Sequence, residues 1–458
     1  LVTGREVSLK DMLDAREHRQ EVQRMLLSEH HLPVISFTLN IVGPVKVFPL
    51  ALRTFHEGIR LIETQCHAWK IPIIATTSHT GHEYFWTVDG DVRFIKENLC
   101  LLEDSVALGR LFDIDVIQTD GMKISRTDLG FSTRKCLICN QEAFVCSRAR
   151  THSVKELLEQ ECQIMTNYFA KQHARKLSSL SMQALLYEVS VTPKPGLVDR
   201  NNTGAHQDMD IFTFEASAVS LNHYFEQFAL CGIENGHEPF SRIFSRLRSL
   251  GIQAEETMFR ATNQVNTHKG LIFSLAIMNG SLGYMYANHI PYSPDALLKI
   301  NRKLVADVLE DFNDVTVENA RTNGERLYAL YGMKGARGEA LSGYHTVLKK
   351  ALPVLKHQLD RGLSLNDAGA VTLLYIMAHS EDTNIVNRSS YHSMKKIQSI
   401  LRETLNDPEF INKDPIPYIE SLDREFIKNN ISPGGSADLL ALTFFLYLFE
   451  NSGLSSIL

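Results

Sequence analysis

The chain has 458 residues, of which 44% are hydrophobic and 22% charged, and it carries a net charge of -6 at pH 7. A chain of this length is expected to form two or more domains with separate cores. The charge argues against a nucleic-acid-binding protein, and the sequence shows neither a bilayer-length apolar run nor a signal-peptide pattern.

Cysteine usage points to a reducing compartment. The chain has seven cysteines. An odd number in a long chain without a leader pattern favours free thiols or metal ligands over a disulfide framework. We therefore expect a cytoplasmic protein, with no nucleic acid and no membrane among its partners.

Helical and strand-like patterns alternate over the first 175 residues. Ser8 and Asp11 have capping-box spacing and predict a helix that continues to residue 31. The periodicity then predicts two strands and a second helix at residues 33–41, 71–78 and 91–108. This order predicts an N-terminal α+β domain, residues 1–175, with a mixed sheet.

The stretch "LGRLFDIDVI" carries two carboxylates, Asp113 and Asp115, on a predicted strand. Residues two apart on a strand point to the same face of the sheet. The two carboxylates must therefore either bind a cation or face water at the rim of the sheet. A glycine turn, Gly109, before a strand with Asp-x-Asp is the layout of nucleotidyltransferases of the polymerase-β type. In that layout the acids hold Mg²⁺ on a triphosphate, and Arg110 would add positive charge. The alternative is a solvated strand edge.

Two neighbouring segments offer further ligands. "NIVGPVK" presents Asn40 and Lys46 to a phosphate, or it is an ordinary turn with an exposed lysine. "RKCLICNQEAFVCSRARTH" has the ligand types of a structural zinc site, although its spacing matches no standard finger. Buried, inert thiols are the alternative for that cluster, whose members are Cys136, Cys139, Cys146 and His152.

Together, these three segments resemble the apo-citrate lyase phosphoribosyl-dephospho-CoA transferase family over roughly the first 175 residues. The resemblance implies an enzyme that moves a phosphoribosyl-dephospho-CoA unit from its triphosphate donor onto a serine of the citrate lyase acyl carrier subunit, releasing pyrophosphate. It also implies a nucleotidyltransfer motif that consists of Gly109, Arg110, Asp113 and Asp115.

Strand signals nearly vanish after residue 175. The helix-like segment "SVKELLEQECQIMTNYFAKQHARKLSSL" joins the two halves, and helical spacing separated by Gly, Pro and Asn continues to the end. The second domain, residues 176–458, is therefore predicted to be an all-helical multi-helix domain.

Charged and polar residues cluster in the irregular segments of this second domain, where a scaffold positions ligand-binding loops. No Walker loop is present, so a nucleotide site here is of another kind. For Asp208 and Asp210 alone, helix-capping charges are the simpler interpretation. The candidates are Lys194, His206, Asp208, Asp210, Asn266, His268, Lys269, Arg337, Glu339, Asp382, Asn384 and Arg388.

The motifs "VTPKPGLVD", "GAHQDMD", "NTHKGLIF", "GARGEA" and "DTN" resemble, in this order, the triphosphoribosyl-dephospho-CoA synthase family. The resemblance implies that a ribose hydroxyl of 3'-dephospho-CoA attacks the anomeric carbon of ATP and that adenine leaves. Such chemistry needs a proton donor, a carboxylate base and Mg²⁺ with cations on the triphosphate. Asp208, Asp210 and Glu339 are the catalytic candidates, and Asp208 and Asp382 are the Mg²⁺ candidates. The remaining candidates would bind substrate and phosphate.

The two resemblances together predict a bifunctional transferase of citrate lyase prosthetic-group biosynthesis. The product of the second domain is the substrate of the first. The rival hypothesis is a hydrolase of nucleotide N-glycosidic bonds fused to a zinc-bearing carrier-docking module.

Overall fold

The computed structural model describes residues 2–65, 71–312 and 314–456, except for the side chains of 71–73, 311, 411 and 412. Two compact units divide the chain, a front unit at Leu1–Ala170 and a rear unit at Lys171–Leu458. The predicted architecture of an α+β unit followed by a helical one is confirmed.

The front unit combines helices with one four-stranded sheet. Its elements are α1 (Leu9–His30), β1 (Val34–Leu39), α2 (Pro49–Gln65), β2 (Ile71–Ser78), β3 (Gly81–Thr87), α3 (Val92–Ser105), β4 (Phe112–Ile117), α4 (Ala143–Ala149) and the start of α5 (Val154–Ser190).

The strand order is β2-β3-β1-β4, and every neighbouring pair is antiparallel. The prediction of a mixed sheet is therefore wrong. The connection through α2 does not place β2 beside β1, because β2 pairs in a hairpin with β3 instead. Residues 107–111, which open the predicted strand, form a 3₁₀ turn before β4.

Each face of the sheet is covered differently. Phe37, Phe55 and Phe112 lie in the main core of the front unit, together with residues of α3. A second cluster packs α1 against Phe85 on the opposite face. Because side chains alternate along a strand, the carboxylates of β4 project from the face opposite the main core.

Strand β4 lies at one edge of the sheet, and its outer carbonyls are all used. The Phe112 carbonyl accepts from the Arg134 guanidinium at 2.6 Å, and the Ile114 carbonyl accepts from the Lys96 ammonium at 2.6 Å. The Val116 carbonyl accepts from the Ile124 N–H at 3.1 Å. This edge is therefore closed by the unit's own residues.

The rear unit is helical throughout its described residues. After the end of α5 come α6 (Ile211–Glu234), α7 (Phe240–Ala261), α8 (Lys269–Ala287), α9 (Pro294–Leu304), α10 (Asn323–Tyr331), α11 (Gly335–Leu341), α12 (Leu352–Asp360), α13 (Leu365–His379), α14 (Thr383–Arg388), α15 (Tyr391–Asn406), α16 (Pro408–Asn412), α17 (Ile416–Lys428) and α18 (Gly434–Asn451).

Helix α8 is the central helix of the rear core. Among the described residues it is the one helix long and apolar enough to cross a membrane by length and composition, but 72% of that stretch is buried inside the protein. Its polar residue Asn279 is fully buried and bonds to Ser181 at 3.0 Å. These features are those of a core helix.

Candidate active sites

A cavity of about 450 Å³ lies among the helices of the rear unit. The first turns of two long helices, α8 and α18, contribute Lys269, Gly270, Gly434 and Gly435 to its wall. The first N–H groups of a helix lack intrahelical carbonyl partners. Here Asn266 accepts from the Lys269 N–H and Asp382 accepts from the Ser436 N–H, whereas the residue before each helix provides no side-chain cap. Two such turns on one wall favour an anionic ligand.

A buried ion pair forms part of this wall. The Lys194 ammonium lies 2.5 Å from the Glu188 carboxylate, and both side chains are almost fully buried. The backbone N–H of Lys194 donates to Asp199, which also accepts from Thr192. The Asp199 carboxylate thus holds the loop after α5 in its conformation, and this conformation places Lys194 in the cavity wall.

Asp438, the fifth residue of α18, is a second carboxylate of the cavity. A Cβ at residue 270 would lie 2.3 Å from Asp438 Oδ2, so a larger residue at the start of α8 would require this carboxylate to move. Burial, and then the charges of Glu188 and Asp382, hold the pKa of Asp438 well above its ordinary value. Among the described residues no hydrogen bond or ion pair satisfies the Asp438 carboxylate, which leaves it available to a ligand.

Glu339, on α11, is a third carboxyl group of the wall. Its Oε1 accepts from the Thr346 hydroxyl at 2.7 Å. Its Oε2 is buried without a hydrogen-bond partner among the residues described. Burial raises the pKa of Glu339, although the bond from Thr346 opposes that rise. A carboxyl group in this state is suited to proton transfer.

His268 precedes α8 and is held as a neutral donor. Thr267 donates to the Ser217 hydroxyl, and Ser217 lies 2.7 Å from His268 Nδ1. The bond from Thr267 favours a Ser217 proton directed at Nδ1, and this arrangement places the ring proton on Nε2, a buried atom with no partner among the described residues. Burial, together with Lys194, lowers the pKa of His268 to about 3. These contacts favour His268 Nε2–H as a hydrogen-bond donor of the cavity.

His206 and Arg388 meet at the rim. The Arg388 guanidinium donates to His206 Nδ1 at 3.1 Å, and His206 Nε2 lies 2.8 Å from the Ser432 hydroxyl. Burial, and then the Arg388 charge, lower the pKa of His206. The exposed Asp208 carboxylate lies 3.8 Å from the same ring. The rim thus presents a cation and a neutral imidazole side by side.

Most rear candidates converge on this cavity. Those that line it are Lys194, His206, Asp208, Asn266, His268, Lys269, Glu339, Asn384 and Arg388. Asp210 and Asp382 instead cap helices α6 and α14, and the two oxygens of Asp382 accept four hydrogen bonds from Asn384, Ile385 and Ser436. These bonds favour a structural role for both aspartates.

Two acids of the cavity, Glu188 and Asp438, are absent from the predicted site residues. Both lie in segments that the sequence marks as irregular and glycine-rich, so a local signal existed. Their shared cavity depends on the packing of α5 against distant helices, which no local pattern encodes.

A second cavity, of about 470 Å³, shares Lys269, Gly270, Gly335, Ala336 and Thr383 with the first. Its wall is largely apolar, and it includes Phe244, Leu247, Ile252, Phe273 and Met333 with Arg248 and Arg337. The Arg337 guanidinium stacks on the Phe312 ring, 4.3 Å from its centroid. Arg337 therefore belongs to this second cavity.

The front candidates lie on and around β4. Asp113 is exposed, and Asp115 forms an ion pair with Lys123 at 2.5 Å. A Cβ at Gly109 would overlap backbone atoms of Glu103, so the glycine permits close packing of the chain on the end of α3. The Arg110 guanidinium donates to the carbonyls of Lys135 and Cys136.

The turn "NIVGPVK" is anchored internally. The Lys46 ammonium donates to the Ile41 carbonyl, and the buried Glu161 accepts from the Val42 N–H at 3.1 Å. Burial raises the pKa of Glu161 to about 7, against the opposing effect of Val42 and Lys46. Asn40 is exposed beside this turn. The lysine thus bonds within the turn, whereas Asn40 faces solvent.

The cysteine and histidine candidates form one cluster. One ligand atom from each of four residues lies within 4.8 Å of the other three, and the residues are Cys136, Cys139, Cys146 and His152. This separation fits a single metal ion. Of the four residues, Cys146 is buried and the other three are partly exposed, so buried, inert thiols describe the cluster less well than a metal site does.

Carboxylates, cations and helix N-termini arranged in this way are typical of enzymes that act on phosphate-bearing nucleotides. Residues 174–456 match the family described as ATP:dephospho-CoA triphosphoribosyl transferase, and residues 7–168 match the apo-citrate lyase phosphoribosyl-dephospho-CoA transferase family. The chain is therefore a transferase.

Similar proteins carry both regions on one chain. Protein CitXG of Haemophilus influenzae is 34% identical over 467 residues, covering 98% of each chain. Protein CitXG of Leuconostoc mesenteroides subsp. cremoris is 34% identical over 464 residues, covering 97% of each. The 2-(5''-triphosphoribosyl)-3'-dephosphocoenzyme-A synthase of Haemophilus ducreyi is 37% identical over 325 residues, covering 67% of this chain and 98% of its own.

The chain belongs to the CitXG family and acts in the biosynthesis of the citrate lyase prosthetic group. Both family resemblances seen in the sequence are thereby confirmed.

Proposed function

We propose that residues 176–458 join ATP to 3'-dephospho-CoA and that residues 1–175 transfer the product to the citrate lyase acyl carrier subunit. In the first reaction the bond between the ATP anomeric carbon and adenine breaks, and adenine leaves with the bonding pair and takes a proton. A ribose hydroxyl of dephospho-CoA loses its proton and forms the new carbon–oxygen bond. In the second, the carrier serine oxygen attacks the phosphorus next to the ribose, and pyrophosphate leaves.

In the rear cavity the triphosphate would lie against the first turns of α8 and α18, with Lys194, Lys269 and Arg388 as its cations. His268 Nε2–H would donate to a substrate acceptor, and Glu339 would exchange a proton with the reacting groups. The observation that carries this proposal is that two helix N-termini, the unpartnered Glu339 Oε2, the Asp438 carboxylate and a buried lysine meet in one cavity.

Mg²⁺ fits the same wall. Burial and the like charge of Glu188 raise the pKa of Asp438, and a divalent cation would relieve that repulsion. Asp438 would hold the ion, which supplies charge neutralisation on the triphosphate when bound. We expect Asp438→Asn to raise the Mg²⁺ concentration for half-maximal adenine release at least about tenfold, or about 1.4 kcal/mol. An unchanged Mg²⁺ dependence would contradict this assignment.

The second cavity would take dephospho-CoA. Its apolar wall suits an uncharged acyl-amide chain, and Arg248 and Arg337 suit a diphosphate. The walls that it shares with the first cavity would bring the attacking hydroxyl to the ATP ribose. Arg337→Gln should therefore raise the KM for dephospho-CoA and leave the KM for ATP unchanged.

The front unit would act as a nucleotidyltransferase. Asp113 and Asp115 share one strand face, as a pair that holds Mg²⁺ against a leaving pyrophosphate would. Asp115 must then exchange Lys123 for the metal ion. We also propose that Cys136, Cys139, Cys146 and His152 bind Zn²⁺.

The deciding experiment measures adenine release from ATP by the full chain with and without dephospho-CoA. Release only with dephospho-CoA is expected, and equal release without it would favour the rival hydrolase. Carrier modification is then measured with added triphosphoribosyl compound. Asp113→Asn should abolish modification and leave adenine release intact, whereas full modification by that variant would favour a mere carrier-docking module.

A further inference from the structure

We propose that a Zn²⁺ ion bound by Cys136, Cys139, Cys146 and His152 positions strand β4 for carrier modification. Loss of the ion would then impair the front reaction and spare the rear one. This inference rests on the proposed function of the front unit.

The ligand atoms lie close enough together for one ion, and one sulfur pair has the separation of a tetrahedral site. Cys139 Sγ and Cys146 Sγ lie 3.9 Å apart. Two sulfurs bound to one tetrahedral Zn²⁺ lie about 3.8 Å apart, given Zn–S bonds of about 2.3 Å. His152 Nε2 is buried and has no hydrogen-bond partner among the described residues, as a nitrogen awaiting a metal would be. Three thiols and one imidazole are an ordinary structural zinc set.

The backbone around the ligands is already folded. The Cys136 N–H donates to the Gln141 carbonyl at 2.8 Å, and the Ile138 N–H donates to Cys136 Sγ at 3.5 Å. This turn leads into helix α4, which carries Cys146. The chain thus presents the thiols without relying on a disulfide, and all four ligands come from 17 consecutive positions, residues 136–152.

This segment is bonded directly to the strand that carries the acids. Arg134 donates to the Phe112 carbonyl at 2.6 Å and forms an ion pair with Glu103 at 2.5 Å. In the other direction, Arg110 donates to the Lys135 and Cys136 carbonyls. A metal that fixes Cys136 therefore fixes both arginines, and through them the start of β4 beside Asp113.

The first measurement is the zinc content of the full chain purified without added metal. About one Zn²⁺ per chain is expected, and Co²⁺ in its place should give the visible absorption of tetrahedral cobalt thiolates. His152→Ala should lose the metal, whereas His152→Cys keeps four ligands and should retain it. Cys162→Ser, outside the cluster, is the matched control and should keep full zinc.

The second measurement compares the two reactions. In His152→Ala we expect kcat for carrier modification to fall about 10- to 100-fold, with adenine release unchanged. His152→Cys should restore modification. Arg134→Gln should retain zinc and still lower kcat, since it removes the link to β4 and not the metal. Because Arg134→Gln also removes the ion pair with buried Glu103, tryptophan fluorescence, to which both tryptophans of the chain contribute, must show that this variant is folded before the result separates positioning from folding.

The outcomes are distinguishable. Wild-type chain without zinc, or His152→Ala that loses zinc and keeps full modification, would overturn this inference. Wild-type chain that binds zinc but modifies no carrier would overturn the proposed function of the front unit instead.

Discussion

Each unit contains a lysine–carboxylate ion pair with the same separation, but one pair is buried and the other is exposed to solvent. Lys194–Glu188 in the rear unit and Lys123–Asp115 in the front unit both have a separation of 2.5 Å. The rear pair is 2% and 5% exposed, and the front pair is 54% and 34% exposed. A buried pair forms a fixed part of a site, whereas an exposed pair can be exchanged for a ligand at little cost.

This difference matches the two proposed reactions. A sugar that is losing adenine would be captured by water, so a recessed cavity favours transfer over hydrolysis. The front reaction has a protein as its acceptor, and an open strand face admits a protein side chain. The variants below test whether burial in fact separates the two sites.

The largest expected effect comes from Glu339→Gln. Loss of a proton-transfer group should reduce adenine release about 10²- to 10⁴-fold, with carrier modification unchanged when the triphosphoribosyl compound is supplied. The matched control is Glu420→Gln on α17, an exposed position. Equal activity in the two variants would show that Glu339 takes no part in the reaction.

Lys194→Met tests the buried pair. It leaves the Glu188 charge uncompensated in the core, so the free energy of unfolding of the rear unit should fall by about 3–5 kcal/mol. Circular dichroism of the helices during urea unfolding measures this change. Lys194→Met with Glu188→Gln should recover much of the loss, and no recovery would show that the charge is not its cause.

His268 should make the rear unit sensitive to acid. Its pKa is about 3 in the folded chain, against an ordinary value of about 6.5, so between these values the unfolded chain binds the extra proton. Stability should therefore fall as the pH drops below about 6.5, by up to about 1.4 kcal/mol per pH unit from this group. His268→Gln should reduce that slope in urea unfolding followed by circular dichroism, and an unchanged slope would exclude His268 as its source.

The smallest effect is expected for Lys123→Met. An exposed ion pair contributes about 0–1 kcal/mol, so unfolding of the front unit, followed by tryptophan fluorescence, should barely shift. A loss of stability as large as that of Lys194→Met would abolish the contrast between the two pairs.

Local signals in the sequence predicted the local structure well. Ser8 and Asp11 form the predicted capping box, and β4 contains the predicted pair of acids. Strand β3 was not predicted, because its mostly buried residues lack a clear alternation of polar and apolar positions. The antiparallel pairing escaped prediction because partners are chosen by packing between distant segments.

The same limit applies to the rear cavity. Lys194 and His268 follow from motifs, because each lies in an irregular segment rich in polar residues. Glu188 and Asp438 require knowledge that α5 and α18 reach one cavity. Asp382 is the opposite case, a residue that the motif suggested as a metal ligand. Its oxygens accept hydrogen bonds from its own helix and from Ser436, and no sequence motif distinguishes such a helix cap from a metal ligand.

The closed outer edge of β4 also governs how other chains can approach. Free carbonyl rows on edge strands recruit foreign strands and lead to aggregation. With Arg134, Lys96 and Ile124 occupying that row, strand addition is disfavoured there. Under the proposed function, the carrier would instead present its serine to Asp113 and Asp115 across the strand face. Loss of the Arg134 hydrogen bond would free the Phe112 carbonyl. Self-association of the chain through the exposed strand edge would then be expected.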